Sequence, residues 1–214
     1  MLARILVIAV LLACPAWASA QPGPGAHKAL YMYQGADRDQ RLLAGAKKEG
    51  RAVVYTSLNL KDSVPITQAF EKKYGVKVEL WRSSSEKVLQ RALTEARAGR
   101  HAVDAFELNG PEMEALYREG LLEEFWSPHF KSLPPAAFAK HKHYVADRFN
   151  FFTIAYNTNL VKPNEVPNSY EDLLHPRWVG KIGIEASDDD WYASIVKHMG
   201  EEKGLAFFRK LAQM

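Results

Sequence analysis

Short apolar runs alternate with helical stripes of apolar residues through the first half of the chain. Residues 52–57 form a β-rich run, residues 76–81 alternate apolar with polar positions, and residues 103–108 form a third short run. Each run is followed by a stretch in which apolar residues recur every three or four positions, as they do on one face of a helix. This repeated order of strand and helix predicts a parallel sheet with helices on both faces.

Capping signals set the expected bounds of these helices. Asp62 is a favourable N-cap and Pro65 suits a first helical turn, so the first crossover helix is expected to begin at Asp62 and to end near Gly75. The second crossover helix is expected over residues 85–98, because its apolar stripe is regular there. Asn109 is expected to open the third helix.

A different pattern follows these elements. Residues 149–156 are expected to form an apolar strand that Asn157-Thr158-Asn159 ends, and residues 181–185 are expected to form another strand. Two helices are expected to follow, the second of them starting at Glu201. Because a piece of roughly 60 residues buries little surface by itself, residues 157–214 are expected to open a second lobe whose remainder lies outside this sequence.

The first twenty residues have the pattern of a secretory signal peptide. Arg4 gives a positive start, residues 5–13 are apolar but too short to span a bilayer, and Ala18-Ser19-Ala20 is a small-residue cleavage site. An alternative is the lipobox-like stretch Leu11-Leu12-Ala13-Cys14, in which Cys14 would carry lipid. Cleavage after Ala20 is favoured, because a lipoprotein needs no second cleavage site. The mature protein is therefore expected in the periplasm.

The expected organisation has four parts. A signal peptide (1–20) and a Pro- and Gly-rich flexible leader (21–36) precede a first α/β lobe (37–156) and the start of a second α/β lobe (157–214). Cys14 is the only cysteine, so the mature chain has no possible disulfide. Its apolar core must therefore hold each lobe together.

Charge and motifs argue against two classes of function. The formal net charge is +3 at pH 7, and charges of both signs are mixed along the chain. This balance is too weak to indicate a nucleic-acid partner. The sequence contains no GxSxG, P-loop, GxGxxG or HExxH motif, so an enzyme is not expected.

Polar residues follow all three predicted strands at their carboxyl ends, which is where ligands bind in open α/β sheets. Each polar stretch also precedes a helix, whose first N–H groups are unpaired and carry a partial positive charge. Together with hydroxyls and a guanidinium, this pattern predicts a site for an anionic or strongly polar small ligand. The stretches are Thr56-Ser57-Leu58-Asn59, Arg82-Ser83-Ser84-Ser85 and Asn109-Gly110.

Helix capping is the alternative explanation for these residues. Ser83 and Glu86 have the spacing of a capping box, and Asn109 is an ordinary N-cap. One serine needs no further explanation. Three successive serines after an arginine favour ligand contact by at least one of them.

Two further groups are weaker candidates. Asp188-Asp189-Asp190-Trp191 precedes a predicted helix of the second lobe, where a carboxylate could bind a hard cation and Trp191 could wall the site. Acidic residues are also favourable at a helix start without any ligand. His141 and His143 could face one side of a strand as a metal pair, but no third ligand is near them in sequence, so two surface histidines are expected.

Seven stretches, taken as a set, carry a resemblance to a known family. They are residues 53–57, 69–74, 82–87, 94–99, 155–160, 170–174 and 178–181. The set resembles extracellular solute-binding proteins of the iron(III)-type ABC transporter family. The resemblance covers nearly all of the mature chain and is specific for the family, though not for one ligand.

The resemblance implies a periplasmic-binding-protein-like (type II) α/β fold, with two α/β lobes joined by a hinge and the second lobe incomplete in this chain. It implies a monomer that captures its ligand between the lobes and delivers it to a membrane permease. The contacts that it implies in the first lobe are Ser57, Asn59, Ser83, Ser84, Ser85 and Asn109, and the strand-end pattern adds Arg82 to them. Asp190 and Trp191 are the implied contacts in the second lobe.

The implied ligand is iron(III) or a small oxyanion, and the anion is alternatively a synergistic partner of iron. No resident cofactor is expected. Iron-binding members use a tyrosine pair late in the second lobe, and this sequence ends before that segment, so no metal ligands are assigned. Two rivals stay open: a periplasmic enzyme acting on a small phosphate or carboxylate substrate, and a truncated relic that transports nothing.

Overall fold

The computed structural model describes residues 27–185 and 188–214. The expected signal peptide and residues 21–26 of the leader lie outside the described residues. Within the described ranges, no helix is both long enough and apolar enough to cross a bilayer. The chain divides into two compact units, here called unit 1 (up to Arg148) and unit 2 (Phe149–Met214). The division lies at the start of the segment expected to cross between lobes.

Unit 1 alternates strands and helices in the predicted order. Two short 3-10 helices, Pro128–Ser132 and Pro135–Ala137, follow the last α-helix. The elements before them are α1 (Lys28–Tyr31), α2 (Arg38–Glu49), β1 (Arg51–Thr56), α3 (Leu60–Tyr74), β2 (Lys77–Arg82), α4 (Ser85–Arg97), β3 (Ala105–Glu107) and α5 (Gly110–Arg118).

The three strands form one parallel sheet in the order β2-β1-β3. The central strand β1 ends at Thr56, which is in register with Arg82 on one side and with Glu107 on the other. The predicted parallel α/β sheet is therefore confirmed. Because the register is shared, all three strands end in one row.

The N-cap of helix α3 lies three residues earlier than its capping signals indicated. Asn59 is the N-cap, in an extended conformation, and its carbonyl accepts hydrogen bonds from Asp62 N and Ser63 N, both at 2.9 Å. The prediction that Asp62 is the N-cap was therefore wrong, and Asp62 lies in the first turn instead. Pro65 lies inside the helix, where its missing N–H removes one hydrogen bond of the helical ladder.

The core of unit 1 packs α4 and α5 against the sheet. Its buried residues are Tyr55, Val88, Ala92, Leu108 and Leu116, and the side chains of Val88 and Leu116 are completely buried. Their burial removes apolar surface from water, which is the main force that holds α/β layers together. The core therefore lies directly behind the polar strand ends.

Unit 2 is built on a pair of helices, α6 (Asp189–Met199) and α7 (Glu201–Leu211). Gly204 allows their close approach, since a Cβ there would lie 2.6 Å from Val196 Cα. Ile195, Phe207 and Leu211 form the buried core of this unit. Three short 3-10 helices precede the pair, at Pro163–Glu165, Glu171–Leu174 and Pro176–Trp178.

The two strands predicted in this region are absent from the structure. Residues 149–156 and 181–185 are assigned to neither helix nor strand, and Phe151 is 89% exposed. A strand is stabilised by the hydrogen-bond ladder and side-chain contacts with its neighbours. The described part of unit 2 contains no strand that could supply such a ladder, so both predictions were wrong.

Leu116→Ala should lower the free energy of unfolding of unit 1 by about 2–5 kcal/mol, because it leaves a cavity in a fully buried position. The matched control is Leu60→Ala, since Leu60 is 56% exposed and its truncation should change stability by only about 0.5 kcal/mol. Urea denaturation followed by circular dichroism measures both. Equal losses for the two variants would contradict this description of the core.

Candidate functional site

The ends of the three strands bring three helix N-termini together. Thr56, Arg82 and Glu107 form the row in which the strands end, and we call the loops that follow them the carboxyl edge. Each loop leads into a helix through an N-cap residue with an extended backbone: Asn59 for α3, Ser84 for α4 and Asn109 for α5. Unpaired N–H groups and positive helix ends are therefore concentrated at this edge.

Arg148, from the end of unit 1, brings a guanidinium to the carboxyl edge. Its Nη2 donates hydrogen bonds to Ser57 Oγ and to Asn109 Oδ1, each at 3.2 Å. The same nitrogen lies 3.1 Å from Glu107 Oε1 and forms an ion pair with it. Ser57 and Asn109, which were predicted from two different strand ends, thus both accept a hydrogen bond from the Arg148 guanidinium. The side chain of Asn109 makes no capping hydrogen bond to its own helix.

Glu107 is held on its other side by the end of β1. Its Oε2 accepts hydrogen bonds from Thr56 Oγ1 and from Leu58 N, the latter at 3.0 Å. Only 18% of the side chain is exposed. This carboxylate therefore links β3 to the loop after β1 and neutralises Arg148 at the same time.

Asp147 adds a second acidic group beside this pair. Burial raises the pKa of the Asp147 carboxyl above its ordinary value, and the negative charge of Glu107 raises it further, while Arg148 acts in the opposite direction. Burial and like charge both disfavour the ionised form of a carboxyl group. The edge thus accommodates a second negative charge poorly next to Glu107.

Arg82 is the exposed cation of the carboxyl edge. Its Nη2 lies 3.4 Å from the main-chain oxygen of Ser57 and 3.4 Å from Asn59 Oδ1. Both hydrogen bonds are long, so they restrain the guanidinium weakly. Arg82, Ser57 and Asn59, all predicted from the sequence, are therefore neighbours, and the guanidinium is accessible from solvent.

The three serines after Arg82 have different roles in the fold. Ser83 N donates to Thr56 O at 3.1 Å and continues the sheet, whereas Ser84 is the N-cap of α4 and its Oγ accepts from Lys87 N at 3.4 Å. The predicted capping box of Ser83 with Glu86 was wrong by one residue, because Ser84 holds the extended N-cap conformation. Ser85 is buried, and its Oγ accepts a hydrogen bond from Asn109 N at 3.1 Å. Ligand contact by these serines stays a prediction.

Asp190 and Trp191 lie in the first turns of α6, within unit 2. Trp191 Nε1 donates to the Tyr170 hydroxyl at 3.2 Å, and its ring packs edge-on against Phe208 at 5.2 Å between centroids. Trp191 also lines a cavity of about 650 Å³ within unit 2, as does Asp188, but Asp190 does not. A role in ligand contact stays a prediction for both residues.

The histidine pair does not lie on a strand, which corrects the expected metal-pair geometry. His141 stacks on the Tyr117 ring at 3.6 Å between centroids, and its Nε2 lies 3.2 Å from Glu114 Oε2. His143 N donates to His141 Nδ1 at 3.1 Å. His141 is also mostly buried rather than on the surface, with 16% of its side chain exposed. Across residues 27–185 and 188–214, no three His, Cys, Asp or Glu side chains are grouped as a metal site.

No sequence signal pointed to Arg148 or Glu107. Arg148 lies 91 residues after its partner Ser57, in a segment without regular structure. Glu107 lies inside a predicted strand, where one polar residue among apolar ones is ordinary. Only the alternation of β3 could have indicated that Glu107 ends a strand in register with Thr56.

Arg148→Gln should lower the free energy of unfolding by about 1–3 kcal/mol, because it leaves the partly buried Glu107 carboxylate without its cation. Arg118→Gln is the matched control. Arg118 pairs with Glu114 at 2.9 Å, but its side chain is 75% exposed, so its loss should cost about 0–1 kcal/mol. Chemical denaturation measures both, and an Arg148 variant as stable as the control would mean that the network does not stabilise the edge.

Comparison with known proteins relates the chain to a family. The model of a family described as bacterial extracellular solute-binding protein matches residues 108–214. Iron uptake protein A1 of Synechocystis sp. is 25% identical over 167 residues, which is 72% of this chain and 44% of that protein.

Solved structures agree on the fold. Iron-bound HitA from Pseudomonas aeruginosa is 19% identical with a TM-score of 0.63, over 76% of this chain and 54% of that one. The Trichodesmium protein IdiA (FutA), solved in complex with iron and citrate ligands, is 22% identical with a TM-score of 0.56, over 77% of this chain and 53% of that one. The predicted periplasmic-binding-protein-like α/β fold is thereby confirmed.

The chain spans about half the length of the relatives it matches. The family model, however, covers half of the chain itself. The matched range begins directly after β3 and includes α5 and all of unit 2. On that match, which the structural likeness supports, the chain belongs to the bacterial extracellular solute-binding proteins.

Proposed function

We propose that this protein is the substrate-binding component of an ABC importer, working in the periplasm. In this proposal it binds a small oxyanion at the carboxyl edge of unit 1, either alone or as the synergistic partner of iron(III), and delivers its ligand to a membrane permease. Membership of the solute-binding family supports the binding role. The ligands named for the relatives, iron and citrate, support the choice of ligand class.

The observation that carries the proposal is the exposed Arg82 guanidinium at the same edge of the sheet as three helix N-termini. Among the described residues, its hydrogen bonds are two long ones, to Ser57 O and to Asn59 Oδ1. A guanidinium can bind a carboxylate or phosphate with two parallel hydrogen bonds. The backbone N–H groups at helix N-termini are further hydrogen-bond donors to an anion. An oxyanion is the ligand class that uses both kinds of group.

Iron(III) enters the proposal through the anion. Iron(III) is a hard cation that requires oxygen ligands, and the described residues contain no ready group of three metal-binding side chains. Citrate or a similar anion would supply oxygen ligands of its own. The anion contact at Arg82 is therefore the part of the site that unit 1 contributes in both versions of the proposal.

A binding protein and an enzyme differ in what happens to the ligand. A periplasmic enzyme acting on a phosphate or carboxylate compound would release a changed product, whereas the proposed protein, a monomer without a resident cofactor, returns its ligand unchanged. Mass spectrometry of citrate recovered after prolonged incubation distinguishes them. Conversion of citrate would favour the enzyme.

Arg82→Gln should weaken the binding of citrate, of phosphate or of iron(III) citrate by roughly tenfold or more, since it removes charge-assisted hydrogen bonds. Arg51→Gln is the matched control, because Arg51 begins β1 at the opposite end of the sheet and pairs there with Glu79 at 2.8 Å. Isothermal titration calorimetry on the full chain measures each affinity.

The outcomes separate clearly. A loss confined to Arg82→Gln supports the proposal. Equal affinities in both variants, or binding of none of the three probes by the unmodified chain, would contradict it.

A further inference from the structure

The guanidinium of Arg148 is paired with a carboxylate of the same chain, that of Glu107. Of the three acceptors around its Nη2, Ser57 Oγ and Asn109 Oδ1 are neutral, and only Glu107 Oε1 carries charge. Arg148 thus lies at the carboxyl edge with its charge already neutralised by Glu107. The side chain remains 28% exposed, so the guanidinium can still be reached from solvent.

Glu107 is the fixed partner of this pair. It is the last residue of β3 and is in register with Thr56. Thr56 Oγ1 and Leu58 N hold its Oε2, and the residue's main-chain oxygen accepts from Ser57 N at 2.9 Å. Arg148, by contrast, lies in a segment without regular secondary structure. Any exchange of partners therefore requires Arg148 to move and Glu107 to stay.

From this geometry we propose that Arg148 is a second anion-contacting residue and that Glu107 is its resident counter-ion, which competes with the ligand. The inference rests on the proposed function and deepens it. A bound oxyanion takes up the guanidinium together with Ser57 and Asn109, and Glu107 then faces that anion across the edge. The carboxylate weakens anion binding and disfavours ligands of high negative charge.

Charge explains why the effect should be selective. The Glu107 carboxylate, which the sheet fixes, offsets the charge of Arg148, whereas the two contacts of Arg82 are neutral oxygens. A ligand with one accessible negative charge fits that balance. Each further negative charge on the ligand is repelled by Glu107 over a few ångströms, in surroundings that screen less than bulk water. Citrate should therefore gain more than phosphate when Glu107 is neutralised.

Glu107→Gln tests the inference in the full chain. The amide oxygen can still accept from Thr56 and Leu58, so the fold is retained while the charge is lost; circular dichroism and thermal unfolding check this. Calorimetry should then show citrate binding roughly tenfold more tightly and phosphate binding tightened by a smaller factor.

The matched control is Glu79→Gln, which removes the same charge from a pair with Arg51 at the far end of β1. It should leave both affinities unchanged, because distant exposed charges are screened by salt.

A second variant separates Arg148 from a general effect of charge. In an Arg148→Gln background, the gain from Glu107→Gln should shrink, because the two residues act on each other. A gain of the same size in both backgrounds would overturn the assignment of Arg148, since the carboxylate would then act on the ligand alone.

The failure of this inference differs from the failure of the proposed function. If the unmodified chain binds citrate and Glu107→Gln binds it equally or more weakly, the counter-ion assignment is overturned and the solute-binding proposal stands. If neither the unmodified chain nor any variant binds citrate, phosphate or iron(III) citrate, both are overturned.

Discussion

The shared register of three parallel strands is the constraint on which the site depends. Thr56 of the central strand is in register with Arg82 and with Glu107. A hydroxyl, a guanidinium and a carboxylate therefore lie side by side where the strands end. The ladder fixes that row, and a slip of one residue in either pairing would turn the side chain at that position to the other face of the sheet. The core behind it, centred on Val88 and Leu116, keeps the helices against the sheet and their N-termini at the edge.

Electrostatics then divides the carboxyl edge into two parts. On the β2 side, Arg82 is exposed and weakly held, whereas on the β3 side Arg148 is paired with Glu107 at 3.1 Å. Such an arrangement retains a positive field at the edge without leaving two unpaired guanidinium groups next to each other. Under the proposed function, in which the ligand must be released, this counter-ion would keep the affinity moderate.

Sequence patterns predicted the parts of this fold that depend on local chemistry. Strand and helix periodicity located the parallel sheet, and the rule that ligands bind at strand ends selected Ser57, Arg82 and Asn109, which the structure places at one edge. Arg148 was missed because it comes from a distant segment, and no local pattern encodes which residue a folded chain brings near.

Residues 149–156 and 181–185 have apolar patterns typical of strands, but a strand also needs a neighbouring strand, and the described part of unit 2 has none. Cap positions shifted by three residues, from Asp62 to Asn59, and by one residue, from Ser83 to Ser84, because backbone conformation outweighed the side-chain preferences.

Hydrogen exchange measured by mass spectrometry, with and without citrate, tests the central claim that the carboxyl edge is an anion site. Bound citrate should slow exchange in peptides that contain the first turns of α3, α4 and α5, since their unpaired N–H groups are the proposed donors. Peptides from the opposite end of the sheet, around Arg51 and Lys77, should exchange at the same rate in both samples. Protection that is absent from those three helix starts, or that appears only in unit 2, would contradict the account.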